Sequence, residues 1–168
     1  MERINGKDSL VRNSDRYLQK FSGFKQYDFL EKIVFKQNAR TSHTLNFQYS
    51  TSTNIPRYDR LTDKSASGLA SAEWYYGPQD RMMAAYTLNL KNVGMFNSLN
   101  ITASYQDIEE SRHNRNFGNS RRNDRVEQVK VYGLLAELVK VWETQSLRIG
   151  LDGQYNDVTS TAQRVNVN

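Results

Sequence analysis

Cysteine is absent from this chain, which excludes a disulfide framework and any thiolate nucleophile or thiolate metal site. Histidine is nearly absent. His43 and His113 lie in separate segments, so a histidine-based metal centre is not expected, and His113 beside Glu110 reads as loop charge rather than as a ligand pair. No stretch approaches the roughly 18 apolar residues of a membrane-spanning helix. Residues 1–20 are charged and lack the apolar core of a secretory leader. No phosphate-cradling glycine motif and no nucleophile elbow occurs. Apolar residues in general are scarce: the hydrophobic fraction is 38% and the mean hydropathy −0.77, where globular domains carry about 45–50% apolar residues counting glycine.

So polar a chain is either disordered or built with a polar interior. Its 10 Tyr, 7 Phe and 2 Trp argue against disorder, which depletes aromatics. At 168 residues there is enough chain for one domain. The formal charge of +5 is spread over the segments between apolar runs rather than gathered on one face. It therefore reads as solubility and not as a nucleic-acid footprint.

What the sequence does contain is period-two alternation. In EWYYGPQDRMMAAYTLNL, Met82, Ala84, Tyr86, Leu88 and Leu90 alternate with Met83, Ala85, Thr87, Asn89 and Lys91, which puts each set on its own face of a β-strand. The cleanest case is Leu99, Ile101, Ala103 and Tyr105 against Asn100, Thr102, Ser104 and Gln106. The same test predicts strands at residues 27–38, 43–53, 73–91, 98–108, 126–142 and 146–157, after a loop-like flank at 1–26 that contains an incomplete strand or short helix near 17–24. Two registers are ambiguous. Glu31 interrupts Phe29, Ile33 and Phe35, with Leu30 and Val34 opposite. In the fifth strand, Val129 and Val131 have one parity and Tyr132, Leu134, Ala136 and Leu138 the other, which predicts a bulge near residues 131–133.

The connections between these strands run short, long, short, long, short, the long ones at residues 54–70 and 109–125. Long loops on one end only, and strands of about ten residues or more, fit outer-membrane barrels better than soluble sandwiches, whose strands average about five or six residues. The expected fold is therefore all-β, an antiparallel up-and-down meander of about six long strands, with residues 27–168 forming part of a transmembrane β-barrel wall. Trp74, Tyr75, Tyr76 and Trp142 are the expected girdle residues. Six strands are too few to close a barrel, the smallest having about eight.

The runs LNFQYSTSTNIPRYDRLT at residues 45–62, AEWYYGPQDRMMAAYTLNL at 72–90 and ITASYQDIEESRHNRNFGN at 101–119 resemble TonB-dependent outer-membrane receptors of the Bacteroidetes kind, over most of residues 17–161. The resemblance implies a barrel of about 22 strands filled by a plug domain. It also implies import of a scarce ligand, such as an iron chelate, haem or cobalamin, energised by TonB, ExbB and ExbD. No plug domain, TonB box or terminal aromatic strand is recognisable here, so the resemblance implies an internal piece of the barrel wall. Its partners would be outer-membrane lipid, the plug and the TonB complex of a longer parent, and the small ligand, with no nucleic acid, no cofactor and no enzymatic role. A small non-transporting outer-membrane barrel or adhesin and a soluble β-sandwich binding module remain the alternatives.

Arg57, Arg60 and Lys64 in the first long segment, with Arg112, Arg115, Arg121, Arg122 and Arg125 in the second, are the candidate ligand residues. They either converge on an anionic ligand or lipopolysaccharide phosphate, or simply solvate exposed loops. Asp107, Glu109 and Glu110 read as the solvated start of a loop rather than as acid–base catalysts. Asn46, Gln48, Asn89, Gln106 and Arg148 are expected to share a wet, lumenal face.

Overall fold

The structure, a computed structural model, describes residues 1–66 and 68–167. Ser67, inside the first expected loop, and Asn168, the end of the expected barrel wall, lie outside the described residues. The elements in order are β1 (Glu2–Ile4), β2 (Lys7–Ser9), β3 (Gln26–Lys36), β4 (Thr41–Ser52), β5 (Ile55–Pro56), α1 (Tyr58–Leu61), β6 (Lys64–Ser65), β7 (Gly68–Leu69), β8 (Ser71–Tyr76), β9 (Asp80–Val93), β10 (Phe96–Asn116), β11 (Arg121–Val141) and β12 (Ser146–Asn166).

The chain is all-β and antiparallel. Its six long strands lie side by side in chain order, β3-β4-β9-β10-β11-β12, with β3 and β12 at the two edges. β5 and β8 extend the sheet at one end, β8 pairing with β10. β10, β11 and β12 each run 21 residues, several times the usual length of about five or six.

Register fixes the faces, because directly paired residues point to the same side of a sheet. One row reads Phe35, His43, Leu88, Ile101, Ala136, Leu151 across all six strands. The next reads Ile33, Leu45, Tyr86, Ala103, Leu134, Gly153, and the one after it Glu31, Phe47, Ala84, Tyr105, Tyr132, Tyr155. This face is apolar and closes in a row of aromatics: Tyr105 and Tyr132 lie 5.1 Å apart, Tyr132 and Tyr155 6.1 Å, Phe29 and Phe47 6.2 Å. Nothing among the described residues covers it. Leu45 is 55% exposed, Leu134 50% and Leu151 67%. His43 is accommodated there by bonding Tyr86 Oη through Nδ1 at 2.7 Å and Gln37 Oε1 through Nε2 at 2.9 Å.

The opposite face carries Asn46, Gln48, Asn89, Gln106 and Arg148 as expected, with Thr44, Thr87, Thr102, Ser104 and Gln154 among them. Its apolar exceptions include Leu30 and Val34 of β3, Met83 of β9, Ile108 of β10, Val129, Val131, Leu135, Val139 and Val141 of β11 and Val158 of β12. The few buried apolar residues, Leu61, Ala72, Val131 and Val139, do not form one central core.

Several expectations are corrected. The second long loop does not exist: residues 109–116 and 121–125 continue β10 and β11 in unbroken register, leaving a turn at 117–120. Charged and polar residues there obscured the strands, although their backbones pair as any others do. β12 likewise continues past residue 157 to Asn166. The bulge expected near residues 131–133 is absent, since β11 pairs without a shift on both sides. Its two valine-rich and tyrosine–leucine sets simply occupy opposite faces. The bulge lies instead at residues 77–79, where the predicted strand 73–91 breaks into β8 and β9: Tyr76 faces Arg112 but Asp80 faces Glu109, so three residues oppose two. The flank at 1–26 contains the β1–β2 hairpin, and residues 17–24 form neither strand nor helix.

Candidate functional site

β10 and β11 outrun β9, and β8 and the β1–β2 hairpin pack against their projecting ends. The projection gathers a chain of charges. Arg115, only 3% exposed, donates from Nε to Glu73 Oε1 at 2.6 Å and from Nη1 to Asp8 Oδ2 at 2.8 Å and the Asn119 carbonyl at 2.7 Å. Asp8 also accepts from Arg3 at 3.3 Å and from the Gly118 N–H at 2.7 Å. Gly118 sits at φ 77°, which glycine adopts freely and which aims that N–H at the carboxylate.

Glu73 lies 3.7 Å from Arg122 through Oε2. Arg122 grips Asp124 with two bonds, Nε to Oδ1 at 2.7 Å and Nη2 to Oδ2 at 3.0 Å. Asp124 Oδ1 bonds His113 Nδ1 at 2.7 Å, and His113 Nε2 reaches Ser111 Oγ at 3.0 Å. The Tyr75 ring stacks on His113 with centroids 4.7 Å apart and 15° between planes.

Burial pushes the Asp8 carboxyl up, but the Arg115 hydrogen bond, the Gly118 N–H and Arg3 outweigh it and leave Asp8 below its ordinary value. Asp124 behaves alike: burial raises it, and bonds from Arg122 and His113 more than compensate. Both guanidinium groups are held above their ordinary value. For Arg115, burial opposes the shift and Asp8 and Glu73 drive it. For Arg122, the bond to Asp124 drives it against burial.

Ser111, His113 and Asp124 stand in the order of a hydrolytic triad. Gly77, however, stands directly against Ser111: a Cβ at residue 77 would overlap Ser111 Oγ and lie 2.9 Å from His113 Nε2. The face from which an acyl carbonyl would be attacked is therefore taken by the β8–β9 bulge. The hydrogen-bond chain fastens β8 to the projecting hairpin.

A second cluster lies around α1. Arg57 holds Asp59 with bonds of 2.9 and 2.7 Å and donates to Tyr76 Oη at 3.3 Å. Its guanidinium stands 5.3 Å from the Trp74 ring centroid and 5.7 Å from that of Tyr76, and the two rings meet edge to face at 5.0 Å.

The eight candidate cations fall into different surroundings. Arg115 and Arg122 join one network, Arg57 belongs to the aromatic cluster, and Arg60 contacts Asp59 and Asp63. Lys64 lies exposed on β6, and Arg121 begins β11. Arg112 and Arg125 face each other across β10 and β11, in register with Tyr76. Asp8, Asp59, Glu73 and Asp124 pair with Arg115, Arg57 and Arg122. The four residues expected in an aromatic girdle lie at two ends of the sheet. Trp74, Tyr75 and Tyr76 lie on β8, opposite Asn114, His113 and Arg112, roughly 23–30 Å along β10 beyond Tyr105, while Trp142 follows β11 at the short-turn end with Lys140 5.9 Å from its ring. The aromatic row is made by Tyr105, Tyr132, Tyr155, Phe29 and Phe47.

Sequence reading missed Asp8, Glu73, Ser111 and Asp124. Only Gly77-Pro78, interrupting an alternating run, signalled the bulge that seats Ser111. Among the described residues no group of three or more His, Asp or Glu could hold a metal ion. Compared with protein-family models and with curated proteins, the chain matches none.

Proposed function

We propose that this chain is part of the β-barrel wall of a TonB-dependent outer-membrane receptor, whose parent imports a scarce ligand of the iron-chelate, haem or cobalamin class. One observation carries the membrane part of this proposal: the uncovered apolar face ends in an aromatic row. Along β11 and the residue that follows it, the face runs from Tyr132 to Trp142, about ten residues or roughly 33 Å at about 3.3 Å per residue. With strands leaning about 40°, that becomes about 25 Å, the height of the apolar belt of an outer-membrane barrel. The polar opposite face suits a hydrated lumen, and the two unpaired edge strands suit continuation into further strands, since long open edges are otherwise a pairing hazard.

The receptor assignment rests on the sequence resemblance of residues 45–62, 72–90 and 101–119. A soluble sandwich would need a second sheet over the apolar face. The testing experiment is the intact mass of the polypeptide carrying this segment, purified from outer membranes of its source, combined with uptake assays in energised and de-energised cells. A mass several times 19.5 kDa with energy-dependent uptake is expected. A 19.5 kDa outer-membrane species would overturn the receptor reading and leave an oligomeric or non-transporting barrel. Absence from the membrane fraction would overturn both.

A further inference from the structure

Residues 10–25, between β2 and β3, carry Arg12, Arg16, Lys20 and Lys25 against a single acid, Asp15. The segment forms no strand or helix, yet local bonds hold it. Asp15 accepts from the Tyr17 N–H at 2.9 Å, Asn13 donates to the Leu18 carbonyl at 2.6 Å, and Ser22 to that of Gln19 at 2.9 Å. None of its four cations makes an ion pair among the described residues. Its apolar side chains face outward: Leu10 is 72% exposed, Tyr17 85% and Leu18 58%. Arg16 lies 4.8 Å over the Tyr17 ring, and a soluble surface rarely leaves so many large apolar groups exposed in one stretch.

Its position follows from register. Ser111, His113 and Arg115 alternate along β10 on the side that also carries Ile101, Ala103 and Tyr105, so Tyr75 and Glu73, paired with His113 and Arg115, mark that side too. Phe21 and Met1 close a cavity of about 300 Å³ against Glu73, Tyr75 and Arg115. The segment therefore overlies the continuation of the apolar face. Its lower end is tied beside Tyr27: Lys25 N donates to Thr53 Oγ1 at 3.0 Å, and Thr53 N to the Lys25 carbonyl at 2.9 Å. It thus runs from the projecting hairpin to just above the aromatic row, on the outer side of the wall.

We propose that residues 10–25 form a surface strap that docks on the anionic headgroups of the surrounding bilayer, Arg12, Arg16, Lys20 and Lys25 taking lipid phosphates and Leu10, Tyr17 and Leu18 entering the interface. This rests on the barrel-wall proposal. An apolar-and-basic segment lies in the interface plane, and each basic residue near an anionic surface contributes about fivefold in affinity. Charge complementarity selects an anionic lipid surface here: four cations stand against one acid over residues 10–25, Arg16 and Lys20 flank Tyr17 and Leu18 at one open cavity, and Arg12 and Lys25 lie outside it.

The test uses the parent polypeptide that carries this segment, purified from outer membranes and reconstituted in vesicles, with its native tryptophans, Trp74 and Trp142 among them, changed to Phe as background and either Tyr17→Trp or Leu151→Trp as reporter. Phosphatidylcholine brominated near the headgroup or deep in the chain serves as quencher, with and without phosphatidylglycerol. The Leu151→Trp reporter should be quenched by deep bromines in both lipids. The Tyr17→Trp reporter should be quenched by shallow bromines only, several-fold more with phosphatidylglycerol, and this gain should vanish when Arg12, Arg16, Lys20 and Lys25 are all changed to Gln. A quenched Leu151→Trp with an unquenched Tyr17→Trp, or quenching indifferent to phosphatidylglycerol, overturns the strap and leaves the wall standing. No quenching of either reporter overturns the wall and the strap together.

Discussion

Asp8 and Arg115, 107 residues apart in the chain, meet in a 2.8 Å ion pair whose side chains are 1% and 3% exposed. The bond joins the N-terminal hairpin to the tip of the longest strands. Removing Asp8 leaves the buried Arg115 with Glu73 as its remaining carboxylate partner, at a cost of about 1–3 kcal/mol for the lost charged hydrogen bond. Asp8→Asn should therefore release the β1–β2 hairpin and expose residues 1–25 to trypsin, with β9–β12 unaffected. A double-mutant cycle with Arg115→Met should return most of that cost as coupling. Additive effects of the two changes would show that the contact contributes little.

The same hairpin should respond to acid. Asp8 and Asp124 both lie below the ordinary value of 3.8 in the folded chain. A depressed carboxylate contributes stability that is complete above its unfolded value and is lost as pH falls through the folded one. Protection of the Gly118 amide against hydrogen exchange, corrected for intrinsic rate, should thus be complete above the ordinary value of 3.8 and be lost as pH falls progressively below it. In Asp8→Asn the acid-dependent part should shrink. Unchanged protection across that range would mean Asp8 does not hold the tip.

Gly77 admits no side chain while Ser111 keeps its bond to His113. Gly77→Ala should destabilise the β8 junction by about 1–3 kcal/mol, the usual cost of overpacking. Adding Ser111→Gly removes the overlapped atom and should recover part of the loss. Equal instability of the single and double variants, measured by chemical denaturation in detergent, would place the strain elsewhere.

Ile101 and Asn100 are neighbours in β10 on opposite faces. If the apolar face meets lipid, Ile101→Asp should lose about 2 kcal/mol and most heat-modifiable, folded material on gels, and Leu88→Asp, its cross-strand partner, should behave alike. Asn100→Asp should fold normally. Comparable folding of all three would sink the facing assignment.

Much of the wall was legible because its information is local. Leu99, Ile101, Ala103 and Tyr105 against Asn100, Thr102, Ser104 and Gln106 specify a strand and its two sides from a period of two alone. Tyr132, Leu134, Ala136 and Leu138 did the same, once their parity was not mistaken for a bulge. Where polar residues filled both faces, as in residues 109–125, alternation vanished while backbone pairing continued, and the strands could not be seen.

The sequence by itself determined the all-β class and the two faces of the strands, since side-chain direction is a property of neighbouring residues. Only the tertiary structure decided which arginines are free and which are neutralised. Pairing Asp8 with Arg115, Glu73 with Arg115 and Asp124 with His113 requires the register of strands distant in sequence, and a charge on its own carries no mark of the partner that the fold will bring to it.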